Sequence, residues 1–138
     1  HIVATDISPQ AGENARINIK KHKLEKKIDV RVGDLFAPLA KDERFDVVLL
    51  NLRYPTRDAN DWLWQLHERF IAAVKDHLNP DGRIYYQFGF LRNLDHVEKM
   101  LADNQLYIVD KRLGISSVIK NSLFLTFEIR ALPETAKE

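Results

Sequence analysis

The chain predicts an α/β domain built on an open, mostly parallel sheet with helices on both faces and a C-terminal antiparallel strand. Three observations carry this prediction. Short apolar runs alternate with stretches of helical periodicity. The run Phe45–Leu50 is apolar with little two-residue alternation, the pattern of a parallel strand covered on both sides. Near the C-terminus, Leu123, Leu125, Phe127 and Ile129 alternate with Phe124, Thr126, Glu128 and Arg130, the pattern of an antiparallel strand with one wetter face.

The elements follow in order. Ile2–Thr5 is a strand already under way at the first residue, so the domain is expected to be N-terminally incomplete. Ser8-Pro9 opens a helix, with a hydroxyl to cap free amides and a proline already set for the first turn. Ala11, Ala15, Ile19 and His22 share one stripe of that helix, opposite Glu13, Arg16 and Lys20. A second strand spans Ile28–Val32 and ends at Gly33-Asp34; Phe45–Leu50 is the third and ends at Asn51.

A polar, proline-containing loop then leads to a helix whose core positions are Leu63, Leu66, Phe70, Val74 and Leu78, broken by Asn79-Pro80-Asp81-Gly82. Arg83–Phe88 predicts a strand, Leu94, Val97, Met100 and Leu101 a helix, and Leu106–Val109 another strand. Residues Pro133–Glu138 form a tail.

Composition excludes several classes. The 138 residues are 45% hydrophobic and 30% charged, enough apolar material for the core of one domain. Twenty-one Lys and Arg against 20 Asp and Glu leave a formal charge of +1, which supplies no basic field for nucleic acid or a membrane surface. With no cysteine, disulfides and thiolate zinc sites are excluded, in keeping with a cytoplasmic location. No apolar run reaches the roughly 20 residues of a membrane span.

Ligands of open α/β sheets bind beyond the carboxyl ends of the strands, and three successive apolar runs end in Asp6, Asp34 and Asn51. Asp and Asn favour turns anyway, but three consecutive strand ends form a pattern. A carboxylate at Asp6 can accept two hydrogen bonds from a vicinal diol such as a ribose. Asp34 can accept from an exocyclic amine, with the Leu35 amide facing a ring nitrogen. Asn51 offers a carbonyl and an amide to a reacting group. The three are expected to converge along one rim of the sheet.

At these residues the chain resembles a known family. Ala4-Thr5-Asp6-Ile7-Ser8-Pro9, Asn14-Ala15-Arg16 with Asn18, Gly33-Asp34-Leu35-Phe36-Ala37-Pro38-Leu39 and Arg44–Val48 are similar to the small-domain class I methyltransferases. That group includes release-factor glutamine methyltransferases and ribosomal RNA guanine-N2 methyltransferases. The resemblance covers residues 2 to about 90 and implies a Rossmann-like domain over 1–138 that lacks the family's first strand and glycine-rich loop. It implies S-adenosylmethionine as cofactor: Asp6 on the ribose hydroxyls, Ile7 packed on the adenine, and Asp34 with Leu35 on the adenine edge.

The family's Asn-Pro-Pro-Tyr motif corresponds to Asn51-Leu52-Arg53-Tyr54-Pro55 here, with Asn and Tyr kept and the two intervening prolines lost. By resemblance, Asn51 borders cofactor and acceptor, and its side chain with the Leu52 carbonyl orients a target nitrogen that Tyr54 walls. Arg53 adds a charge the family lacks, suited to a carboxylate or phosphate on the substrate. Implied is methyl transfer to a nitrogen of a protein side chain or nucleobase, without metal or membrane. The alternative is a catalytically degenerate domain acting as a cofactor-binding or partner subunit.

Other constellations carry less. Tyr107 and Lys111 have the four-residue spacing of a short-chain dehydrogenase pair, but on a strand such positions stand about 13 Å apart. The five histidines show no metal-ligand spacing, and His67 and His77 are expected on helix surfaces. Trp62 and Trp64 are expected to cover core. Lys20, Lys21, Lys23, Lys26 and Lys27 form a solvated helix end.

Overall fold

The computed structural model describes residues 1–56, 58, 60–89, 93–115 and 123–133. They fall into two compact units, His1–Glu43 and Arg44–Glu138. Most of the expected tail Pro133–Glu138 lies outside the described residues.

In the first unit, strand β1 (Ile2–Asp6) pairs in parallel with β2 (Ile28–Val32), in a register that sets Asp6 against Val32. Helix α1 (Pro9–Lys21) connects them. The Ser8 hydroxyl accepts from the Ala11 amide and Pro9 occupies the first turn, as the sequence predicts. Gly12 is the one buried residue of α1. A Cβ there would stand 2.7 Å from Val32 Cγ2, so the glycine lets helix and strand pack closely. His22, expected on the inner stripe, is exposed at the C-cap.

The second unit is a four-stranded sheet in the order β3-β4-β6-β5. Its strands are β3 (Phe45–Leu50), β4 (Leu78–Phe88), β5 (Leu106–Ile115) and β6 (Leu123–Ala131). β3 and β4 are parallel, whereas β6 is antiparallel to both neighbours. Leu125, Phe127 and Ile129 of β6 and Ile84, Tyr86 and Phe88 of β4 are buried. Against them lie helix α2 (Leu63–Val74), burying Trp64, Phe70, Ile71 and Val74, and helix α3 (Leu94–Asp103), burying Val97, Met100 and Leu101.

Three details differ from the sequence reading. β3 is not covered on both faces: Val47 and Leu49 are 51% and 75% exposed, while Leu50 is buried. α2 stops at Val74, a short 3-10 turn spans Lys75–His77, and Leu78 begins β4. Leu78 pairs with Phe45 and Arg83 with Val47, so Asn79–Gly82 bulges out of register and takes in Pro80, which has no N–H to give. Finally, β5 runs on to Ile115, because each residue from Asp110 onward pairs with β6. Tyr107 and Lys111 lie on that strand, and Lys111 Nζ pairs with Glu98 at 2.5 Å.

Candidate active site

The site residues predicted in the first unit stand together at the carboxyl end of its sheet. Beyond the last register pair, the Gly33 amide donates to the Asp6 carbonyl at 2.9 Å, so the exits of β1 and β2 are tied and Asp34 follows at once. The Asp6 side chain is exposed, and its Oδ1 accepts from the Ser8 amide at 2.8 Å. That bond fixes the carboxylate at the helix entrance and uses one of its roughly four acceptor positions. Ile7 is 70% exposed next to it, an apolar surface at the mouth of the strand. Leu35 has φ 49°, in the left-handed region where a side chain is unfavourable. Backbone held there against its preference marks a turn whose shape is imposed by its surroundings.

Arg31 supplies part of that imposition. Its Nη1 and Nη2 donate to the two carboxylate oxygens of Glu43 at 2.7 and 3.1 Å, and its Nε donates to Asp29 Oδ2 at 2.7 Å. Glu43 Oε2 also accepts from the Ala40 amide at 3.2 Å. The far end of the 34–43 segment is thereby clamped to β2. The Arg31 guanidinium, with help from the Ala40 amide, holds the Glu43 carboxyl below its ordinary value. Because the ionised form is favoured in the fold, its contribution is present above the unfolded glutamate value of about 4.3 and is lost as pH falls through the lower folded value. Thermal melts between pH 6 and pH 3 are expected to show a smaller acid loss in Glu43→Gln than in the wild type; equal losses would show that the clamp adds nothing.

In the second unit, Asn51 follows β3 and is exposed. Tyr54 Oη lies 3.4 Å from Asn51 Oδ1, a long contact for a hydroxyl donor, so the amide oxygen stays available to a better one. The Tyr54 ring meets Phe88 edge-on, with centroids 5.9 Å apart. It also lies against Gly89, the residue after β4: a Cβ there would fall 2.5 Å from Tyr54 Cε2 and closer still to Cδ2. Partial burial pushes the Tyr54 hydroxyl up from its ordinary value, so it remains a neutral donor. Leu52 is half-buried and Arg53 exposed.

Gly89→Ala is expected to displace the Tyr54 ring and lower stability by about 1–3 kcal/mol, as overpacking does. Thermal melts of Gly89→Ala alone and in a Tyr54→Ala background check this. If the loss persists without the ring, the ring is not its cause.

Three residues missed by the sequence reading hold this loop. Asp61 Oδ2 accepts from the Thr56 amide at 2.7 Å and Oδ1 from the Leu63 amide at 3.0 Å, joining loop to helix start. Those two amides also hold the Asp61 carboxyl below its ordinary value. His67, expected on a helix surface, is fully buried. Its Nε2 is 2.9 Å from the Arg53 carbonyl oxygen and its Nδ1 is 2.7 Å from Tyr86 Oη. The spacing of His67 from Leu63, Phe70 and Val74 already placed it on the core stripe. Tyr86 gave no sequence signal beyond membership of a strand. Of the tryptophans, Trp64 is buried against Phe88 and His96, whereas Trp62 is 65% exposed and covers no core.

No group of His, Asp and Glu able to hold a metal occurs among the described residues, and no described helix is long and apolar enough to cross a membrane.

Comparison with known proteins identifies the fold around these sites. A family model, the methyltransferase small domain, matches residues 1–114. The chain is 31% identical over 108 residues to the ribosomal protein L11 methyltransferase of Lactobacillus johnsonii, covering 78% of this chain and 30% of that protein. It is 28% identical over 137 residues to the release factor glutamine methyltransferase of Clostridium acetobutylicum, covering 94% and 46%. It therefore spans less than half the length of either relative. A crystal structure of the ribosomal protein L11 methylase of Lactobacillus delbrueckii subsp. bulgaricus aligns with a TM-score of 0.71 at 22% identity, over 94% of this chain and 56% of that one. At that identity the likeness shows the fold alone, and the fold is the Rossmann-like α/β class read from the strand order. With most of its length matched by the family model, the chain belongs to the methyltransferase small-domain family.

Proposed function

We propose that the protein transfers a methyl group from S-adenosylmethionine to a nitrogen of a protein side chain or nucleobase. The observation that supports this best is the preserved Asn51–Tyr54 pair, set against Phe88 and Gly89 at the end of adjacent parallel strands. The cofactor fits the donor set of the first unit: a fixed carboxylate for a diol at Asp6, an apolar surface at Ile7, and a constrained turn at Asp34-Leu35 for an adenine edge. When bound, S-adenosylmethionine supplies a methyl carbon made electrophilic by its sulfonium.

The chain's own part is orientation. The Asn51 amide oxygen and the Leu52 carbonyl accept from a planar NH2, leaving its nitrogen lone pair directed away from that plane, and the Tyr54 ring walls the other side. Fixing a nucleophile in this way can itself supply much of the rate. Arg53, exposed between them, suits a carboxylate or phosphate on the acceptor.

Calorimetry of the full-length protein with S-adenosylmethionine, followed by tritium transfer to ribosomal proteins, release factors and tRNA, tests the reading. Binding with transfer to one class supports it and names the acceptor. Saturable binding without transfer to any of them favours a cofactor-binding partner subunit, and absence of binding removes both.

A further inference from the structure

His67 is fully buried, yet both ring nitrogens have partners, and those partners fix its chemistry. A carbonyl can only accept, so Nε2 carries the proton and donates to the Arg53 oxygen at 2.9 Å. In the neutral ring Nδ1 must then accept, and Tyr86, itself fully buried, donates its hydroxyl at 2.7 Å. Burial pushes the imidazole below its ordinary value, which keeps it neutral as this arrangement requires. Burial likewise pushes the Tyr86 hydroxyl up, so it keeps its proton.

The Arg53 carbonyl belongs to the peptide that joins Arg53 to Tyr54, one step from the Leu52 carbonyl. Neither Leu52 nor Arg53 restricts its own φ as proline would. The loop is instead gripped from beneath, by a histidine on α2 whose ring meets Tyr86, Phe88 and Trp64.

We propose that His67 is a positioning residue for the acceptor loop. As the Nε2–H tautomer, with its ring held in place by the Tyr86 hydroxyl on Nδ1, it holds the Arg53 carbonyl and so sets the backbone that carries the Leu52 carbonyl and the Tyr54 ring. The role in catalysis rests on the function proposed above; the anchoring itself does not.

The test uses the full-length protein and three variants: His67→Gln, whose side-chain amide reaches about as far as Nε2; His67→Phe, which keeps bulk without a donor; and Tyr86→Phe, which removes one hydroxyl. The first readout is the 13C shift of the Arg53 carbonyl with 15N order parameters of the Arg53 and Tyr54 amides. His67→Phe is expected to shift the carbonyl and bring the amides from rigid values near 0.85 to below about 0.6. His67→Gln should retain both, and α2 and β4 amides should not move in either. Wild-type order at Arg53 and Tyr54 in His67→Phe overturns the proposal. If that variant does not fold, Tyr86→Phe decides: the Arg53 carbonyl still requires the Nε2–H tautomer, but the ring is now held at one nitrogen only, so the order parameters at Arg53 and Tyr54 should fall, and unchanged loop order overturns the role of Tyr86.

The second readout is kinetic, with the acceptor found by tritium transfer. kcat should fall at least about tenfold in His67→Phe and recover in His67→Gln, while the Kd for S-adenosylmethionine stays put. An unchanged kcat, or a loss confined to cofactor affinity, overturns the catalytic role. If the wild type transfers nothing, the proposed function fails, and the spectroscopic arm still decides whether His67 orders the loop.

Discussion

Asn51→Ala is expected to lower kcat for methyl transfer by about 10²–10³-fold while the Kd for S-adenosylmethionine moves by less than about threefold. The asymmetry follows from where the residue stands. Asn51 follows β3 and is exposed, with the Tyr54 hydroxyl at a long 3.4 Å from its Oδ1. Little stability depends on a contact of that length, so the thermal midpoint should hardly change. What the amide oxygen supplies is a second acceptor beside the Leu52 carbonyl, and two acceptors fix the plane of an NH2 where one leaves it free to rotate. Removing one converts an oriented nucleophile into a tumbling one, a loss felt in kcat and not in cofactor affinity. The measurement is a pair: single-turnover transfer and cofactor calorimetry on the same variant. Undiminished turnover would move the chemistry away from Asn51; a parallel collapse of cofactor affinity would make it a binding residue only.

How much of this was readable from the sequence depends on what each signal measures. The strand ends were legible because Asp6, Asp34 and Asn51 each interrupt or follow apolar runs that have no other place to stop. Asp6 does end β1 and Asp34 stands two residues beyond the paired strand β2, the two exits joined by the Gly33–Asp6 backbone bond. Tyr54 was legible only through the resemblance to the family's Asn-Pro-Pro-Tyr motif, and its hydroxyl lies 3.4 Å from Asn51 Oδ1. What supports them was not. Gly89 matters only through a ring thirty-five positions earlier, and Tyr86 only through a helix formed before it. His67 was misplaced because a lone histidine on a helix is ordinarily solvated, although its register with Leu63, Phe70 and Val74 pointed inward.

The limits of β4 and β5 were hidden for a different reason. Leu78 satisfies helical spacing from Val74 and strand pairing with Phe45 equally well, and only tertiary pairing chooses. Asp110–Arg112 is too polar to read as strand, yet as an outer strand β5 can leave such side chains in solvent, where Asp110 and Arg112 pair at 2.8 Å.

The second large effect is expected at Asp6, and its argument must separate binding from folding. Asp6→Ala should weaken S-adenosylmethionine by about 10²–10⁴-fold, since two hydrogen bonds from a diol to a charged acceptor are worth about 1.5–3 kcal/mol each. The same substitution removes the acceptor of the Ser8 amide at the entrance to α1, a cap-like contact whose loss costs about 1 kcal/mol. A fall in affinity could therefore come from a frayed helix start. Asp6→Asn resolves this, because the amide oxygen can still accept from Ser8 while the side chain loses its charge and half its acceptor capacity. If the carboxylate binds the diol, Asp6→Asn should melt like the wild type and still lose about tenfold or more in affinity. Should Asp6→Asn bind as the wild type does, Asp6 organises the helix entrance and the ribose is held elsewhere. Should both variants lose stability and affinity in step, the binding loss is that of a disordered strand end and carries no information about the ligand.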